Sequence, residues 1–405
     1  MTIKTSESPK ELKTALTGFV SLLGSSVISA LGFIIISSNR FVEVESATAV
    51  FVILFVQWQT LGLTIAKTGI EQVVFAMVTA NEKTYLDPSR YVFRRAFPLA
   101  FLFSVVVLFV FSPWASVVAF FTIMLDTYSL IVMADLNARK RFKTTALSNL
   151  FNYPLFFIIF FALNYFQDVG VTLVLTVFLL TSFARWTWLN CNRVVNADFE
   201  QVVCKVNLEM GIQQVLNYLL FRFDQIVLAI IGLKLTMHGD VGMYVFLARF
   251  QELISGVVIL AGTVLFPKMY IKYPINGWAI IINLKKHAHY VIGYAATIFV
   301  AMVVYLNLWK GQPIPYYLAL PFLIQTMCIV LVNNVTYSVI RQGYLRSLLS
   351  NMSFSTILGL LMFVFLQFDL SALDLAWIVP TQVIMFLLLS FVRDWGKIKQ
   401  VTVSS

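Results

Sequence analysis

Charge is scarce in this sequence. Only 12 % of its 405 residues are Asp, Glu, Lys or Arg, against 60 % hydrophobic residues. A water-soluble domain of this length could not stay dispersed with so few charges, which excludes a globular soluble class. Histidine is limited to His238, His287 and His289. The last two are two residues apart and do not share a helical face, so no metal site is expected. The three cysteines (Cys191, Cys204, Cys328) make no disulfide framework. The first two fall in a segment assigned to the cytoplasm, where disulfides are rare, and Cys328 reads as core packing. A phosphate loop is missing as well. Gly62 to Thr68 resembles the tail of one, but Leu61 and Ala66 stand where glycines are needed, so ATP hydrolysis by this chain is not expected. No large extracytoplasmic loop exists to fold into a glycosyltransferase or polymerase domain. No catalytic constellation is found, so the chain reads as a non-enzyme without cofactors. The polar stretch Met1 to Lys13 and the long apolar run after it do not fit a cleaved signal peptide.

Long apolar runs dominate instead. Hydropathy and loop chemistry suggest twelve membrane spans, near 14–38, 46–66, 94–112, 114–136, 145–165, 170–189, 208–233, 240–266, 287–308, 315–340, 346–367 and 372–393. The net charge of +10 could suggest nucleic acid, but the basic residues sit between apolar spans and form no single face. Of 29 basic residues, 23 fall in segments on one side of the membrane, Arg185 and Arg193 among them, and only Arg40, Lys234 and Lys310 on the other. The positive-inside rule then puts both termini in the cytoplasm.

A shift of 202 residues lays Arg139, Leu147, Ser148 and Asn149 over Arg341, Leu349, Ser350 and Asn351. That shift equals six spans, an even number, so the second half keeps the orientation of the first. The fold expected is an all-α integral membrane protein of two six-helix bundles related by a pseudo-two-fold along the membrane normal. The bundles cover residues 1–190 and 208–405, joined by a cytoplasmic linker over 191–207, and enclose a central cavity.

Charges inside the spans mark candidate function, because a charge at the bilayer centre costs at least about 3 kcal/mol and needs a partner or water. Spans seven and eight carry Arg222, Asp224, Arg249 and Glu252. With the turn near residue 237, antiparallel pairing sets Asp224 level with Arg249 and Arg222 level with Glu252. These four are either salt bridges stapling two helices or the lining of a polar pathway. Arg222 and Asp224 point about 200° apart on a helix, so at most one faces the other arm. Residues 46–78 would make a helix of roughly 50 Å, too long for a core of ~30 Å, so it must tilt, bend or run along the interface. Lys67 and Glu71, one turn apart there, can pair; they are an interfacial ion pair or a portal for a lipid headgroup. Asp126 lies roughly 20 Å into span four, where a carboxylate is protonated or matched by a cation. Asn149 in span five and Asn333 in span ten add amides, most of which serve interhelical hydrogen bonds. Pro98, Pro154, Pro321 and Pro380 permit bending.

The run Arg222–Phe223–Asp224–Gln225, then Asp240–Val241–Gly242–Met243–Tyr244 and Ala248–Arg249–Phe250–Gln251–Glu252, resembles Wzx-type O-antigen flippases. These form the polysaccharide-transport branch of the multidrug/oligosaccharidyl-lipid/polysaccharide (MOP) superfamily. The turn Ala138–Arg139–Lys140–Arg141–Phe142 is similar to that family too. The resemblance implies a multi-pass protein of the bacterial inner membrane that moves an oligosaccharide on undecaprenyl pyrophosphate from the cytoplasmic to the periplasmic leaflet. It implies the polysaccharide polymerase machinery as a second partner. Arg222 and Arg249, with Lys67, would then line a cationic cavity, oriented by Asp224, Glu252 and Asp126. The competing class is an ion-coupled drug or small-metabolite exporter of a related twelve-helix family.

Overall fold

The computed structural model describes residues 46–81, 84–166, 169–194, 200–201, 208–232, 316–341, 345–366 and 372–403, with isolated positions between 32 and 304. Six helical segments there are long and apolar enough to cross a membrane: Val50–Lys67, Pro88–Val110, Pro113–Ala138, Phe142–Phe166, Val171–Asn192 and Arg346–Phe365. The predicted spans at 208–233, 315–340 and 372–393 coincide with helices Leu208–Gly232, Tyr316–Arg341 and Ala372–Val403. Those at 14–38, 240–266 and 287–308 lie outside the described residues apart from single positions. The chain is a multi-pass membrane protein.

Packing divides the chain into two compact units, Met1–Phe33 with Gly62–Leu208, and Ile34–Leu61 with Glu209–Ser405. Helix α1 (Ser46–Lys67) contributes to both, since the division falls between Leu61 and Gly62.

In the first unit, α1 ends at Lys67, and α2 (Ile70–Ala80) starts after Thr68 and Gly69, whose φ values are 43° and 74°. That left-handed turn resolves the length problem of residues 46–78 by a break. Glycine takes such a φ without strain, whereas Thr68 adopts it at a cost. Thr68 is held by Tyr91 of the short helix α3 (Pro88–Tyr91): the two hydroxyls lie 2.6 Å apart, and the Tyr91 hydroxyl donates to the Lys67 carbonyl at 2.9 Å. A π-helical turn over Val92–Ala96 leads into α4 (Phe97–Val110). Pro113 then opens α5 (Pro113–Ala138) behind Ser112, whose hydroxyl accepts from the Ala115 amide at 3.1 Å. The predicted span 145–165 is two helices, α6 (Phe142–Leu150) and α7 (Tyr153–Phe166), followed by α8 (Val171–Asn192). The interruption at Phe151–Asn152 precedes Pro154, which has no amide to continue the ladder. Small residues bring helices close: a Cβ on Gly62 would lie 2.5 Å from both Phe103 and Ile123.

A two-residue parallel ladder joins β1 (Thr84–Tyr85) to β2 (Glu200–Gln201), Thr84 opposite Glu200. This small strand pair adds to the all-α expectation and ties part of the segment after α8 to the first unit.

In the second unit, α9 (Leu208–Gly232), α10 (Tyr316–Arg341), α11 (Leu345–Leu366) and α12 (Ala372–Val403) share a core. Leu220, Cys328, Val332, Leu348, Met352, Val379, Val383 and Phe386 are buried together in it. Large apolar side chains elsewhere stay uncovered, Phe109 at 82 % and Phe365 at 78 % exposure. On helices of this length such faces match hydrocarbon.

Candidate functional site

An ionic centre lies inside the first unit. Asp126 is 13 residues past the start of α5 and Arg185 is 14 past the start of α8, so both sit about 20 Å along their helices. Arg185 Nη1 approaches Asp126 Oδ1 to 3.6 Å, longer than a charge-assisted hydrogen bond, and the side chains are only 6 % and 4 % exposed. The second terminal nitrogen, Nη2, donates to Asn149 Oδ1 at 3.3 Å and to Met133 Sδ at 2.9 Å. Arg185 Nε is buried with no hydrogen-bond partner among the described residues. The structure therefore brings together two predicted site residues, Asp126 and Asn149, through a third that sequence reasoning had placed with the loop cations. A carboxylate this deep needs a cation, and the matching depth of Arg185 was the signal for it.

Lys67 and Glu71 form an ion pair at 2.6 Å across the break between α1 and α2, each about a fifth exposed. The pair spans the Thr68–Gly69 turn and so fixes the angle between the two helices.

At the end of the first unit that carries β1 and β2, Arg139 clasps Asp135 at 3.0 Å and donates from Nη2 to the Thr84 carbonyl at 2.9 Å. Nearby, the Tyr128 hydroxyl donates to Asn190 Oδ1 at 2.7 Å and accepts from Arg193 Nη1 at 3.3 Å. Burial raises the Tyr85 hydroxyl pKa above its ordinary value, with the Arg193 charge opposing.

The second unit has a different polar content. Arg222 is half-buried on α9, and Asp224 is 2 % exposed and accepts a hydrogen bond from the buried Tyr244 hydroxyl. The Tyr244 ring also packs on Phe322, with centroids 5.4 Å apart. Tyr244 was not foreseen as a partner, since a tyrosine within an apolar run reads as hydrophobic. Arg249 and Glu252 lie outside the described residues, and Asn333 lies on α10. Two contacts join α1 to α9: the Tyr218 hydroxyl sits 2.6 Å from Gln57 Oε1, and Trp58 Nε1 donates to the Ile226 carbonyl at 3.2 Å.

No protein-family model matches the chain, and no curated protein does. Two solved structures resemble it over nearly its whole length. One is a multidrug resistance MATE family transporter of the MOP superfamily in an inward-facing conformation, with a TM-score of 0.58 and 14 % identity, covering 96 % of this chain and 98 % of that one. The other is the lipid II flippase MurJ in an inward closed conformation, with a TM-score of 0.58 and 10 % identity, covering 95 % and 90 %. At these identities the likeness shows the fold alone: the chain is folded like these two proteins.

Proposed function

We propose that this chain flips undecaprenyl-pyrophosphate-linked oligosaccharide units from the cytoplasmic to the periplasmic leaflet of a bacterial inner membrane. It does so by alternating access without hydrolysing ATP. Twelve spans in two bundles about a pseudo-two-fold, with both termini cytoplasmic, belong to the same proposal, as does the polysaccharide polymerase machinery as partner. The observation that carries it is the charge on α9. Arg222 lies about 21 Å along this helix, two residues from the buried Asp224. A guanidinium at that depth is costly beside hydrocarbon and apt for a pyrophosphate, which it meets with planar, permanently charged donors. Arg249, Glu252 and Lys67 belong to the same reading as further headgroup contacts, and Asp126, Glu71, Asn149 and Asn333 as their support.

A second reading, an ion-coupled exporter of drugs or small metabolites, is favoured by the equal TM-score of the multidrug transporter. Complementation separates the two. The gene is expected to restore surface polysaccharide in a flippase-null strain and to leave drug tolerance unchanged. Raised drug tolerance without restored polysaccharide would establish the exporter instead.

A further inference from the structure

Beyond its charges, α9 carries a line of amides that nothing so far explains. Gln214, Tyr218 and Gln225 are spaced by four and seven residues, which keeps them on one stripe of the helix, and Asn217 flanks it. Gln214 Oε1, Asn217 Oδ1 and Gln225 Oε1 are buried, yet none accepts a hydrogen bond among the described residues. Gln225 is 2 % exposed. Native proteins rarely leave buried polar atoms unpaired, and hydrocarbon offers no remedy.

All three of these atoms are acceptors, so what is missing is a set of donors. The stripe from Gln214 to Gln225 runs about 16 Å along the helix. Gln57 and Trp58 of α1 reach its middle and far end through Tyr218 and the Ile226 carbonyl. A cationic ligand would call for a carboxylate on the stripe. Of the two acids on this helix, Glu209 lies in its first turn and pairs with Arg346, while Asp224 is engaged by Tyr244 and points about 100° away from Gln225. Neutral donors in a row are what a chain of sugar hydroxyls supplies.

We propose that Gln214, Asn217, Tyr218 and Gln225, with Gln57 and Trp58, form a seam in the second unit that binds the hydroxyl-rich oligosaccharide portion of the substrate. This rests on the flippase reading and assigns the sugar-recognising surface that the reading needs apart from the pyrophosphate site.

The test uses the full-length protein in lipid nanodiscs. Its probes are free oligosaccharide released by mild acid from the lipid-linked pool of the source cells, inorganic pyrophosphate and tetraphenylphosphonium. Calorimetric titration compares wild type with Gln214→Leu/Gln225→Leu and with the milder Gln225→Met. The seam predicts at least a tenfold loss of oligosaccharide affinity in the double variant and a smaller loss in Gln225→Met. Pyrophosphate binding stays unchanged. The melting temperature holds or rises by a few degrees, because an unpaired buried amide is replaced by an apolar group. Equal oligosaccharide binding by wild type and the leucine variant overturns the seam. So does no oligosaccharide binding by wild type, or loss of tetraphenylphosphonium binding alone. Translocation in proteoliposomes is scored separately. Seam-dependent sugar binding without translocation would refute the flippase reading and leave the binding site standing.

Discussion

Among the described residues, the two units bury polar groups in different ways. The first places a full ion pair, Asp126 and Arg185, among apolar helices and spreads the guanidinium over three partners. Among the described residues the second adds neutral pairs beside Arg222 and Asp224: Gln57 and Tyr218 pair with each other, Gln325 donates to the Phe221 carbonyl at 3.2 Å, and Asn351 donates to Ser390 at 3.2 Å. Its buried carboxylate, Asp224, is met by a tyrosine hydroxyl. Ionic burial fixes a geometry strongly, because either partner alone is an uncompensated charge. Neutral amides tolerate exchange of partners and suit a surface that a substrate must enter and leave.

The sharpest way to break this comparison is Arg185→Gln. It removes the Arg185 charge from beside the buried Asp126, and a loss of about 3–5 kcal/mol is expected, read as a large drop in melting temperature in detergent. Pairing Arg185→Met with Asp126→Leu should recover most of that loss. A single variant as stable as wild type would show that the pair holds nothing. The next effect is steric. Gly62→Ala puts a methyl 2.5 Å from Phe103 and Ile123 carbons and should cost about 1–3 kcal/mol. Gly359→Ala meets the far end of the flexible Gln382 side chain and should cost less; a larger loss there than at Gly62 would show that Gln382 has no room to move aside. The smallest effect belongs to the exposed pair Arg346–Glu209 at 3.3 Å, where Glu209→Gln should change stability by no more than about 1 kcal/mol. Raising the salt concentration should erase even that difference.

Much of the first unit was legible in sequence, for physical reasons that can be named. Residues 46–78 were too long for one span, and the break at Thr68–Gly69 with its Lys67–Glu71 pair resolves this. Asp126 stood out by its depth alone. Its partner did not, because Arg185 lies near the end of an apolar run and was counted with the cations beyond it. The helix continues to Asn192, which puts Arg185 well inside. Comparing depths along two helices of the same direction would have joined them. The interruption at Phe151–Asn152 was foreshadowed by Asn149, Asn152 and Pro154, yet hydropathy averages over such a break. The contact between Asp224 and Tyr244 was hidden for another reason, since matching opposite charges never proposes a neutral donor.

Translocation of undecaprenyl-pyrophosphate-linked oligosaccharide in proteoliposomes, with wild type beside Arg222→Gln, tests the central claim most directly. The account predicts transport by wild type without ATP and at least a tenfold slower rate in the variant, at equal incorporation and equal melting temperature. Equal transport by both proteins, or none by wild type alongside efflux of a cationic dye, would contradict it.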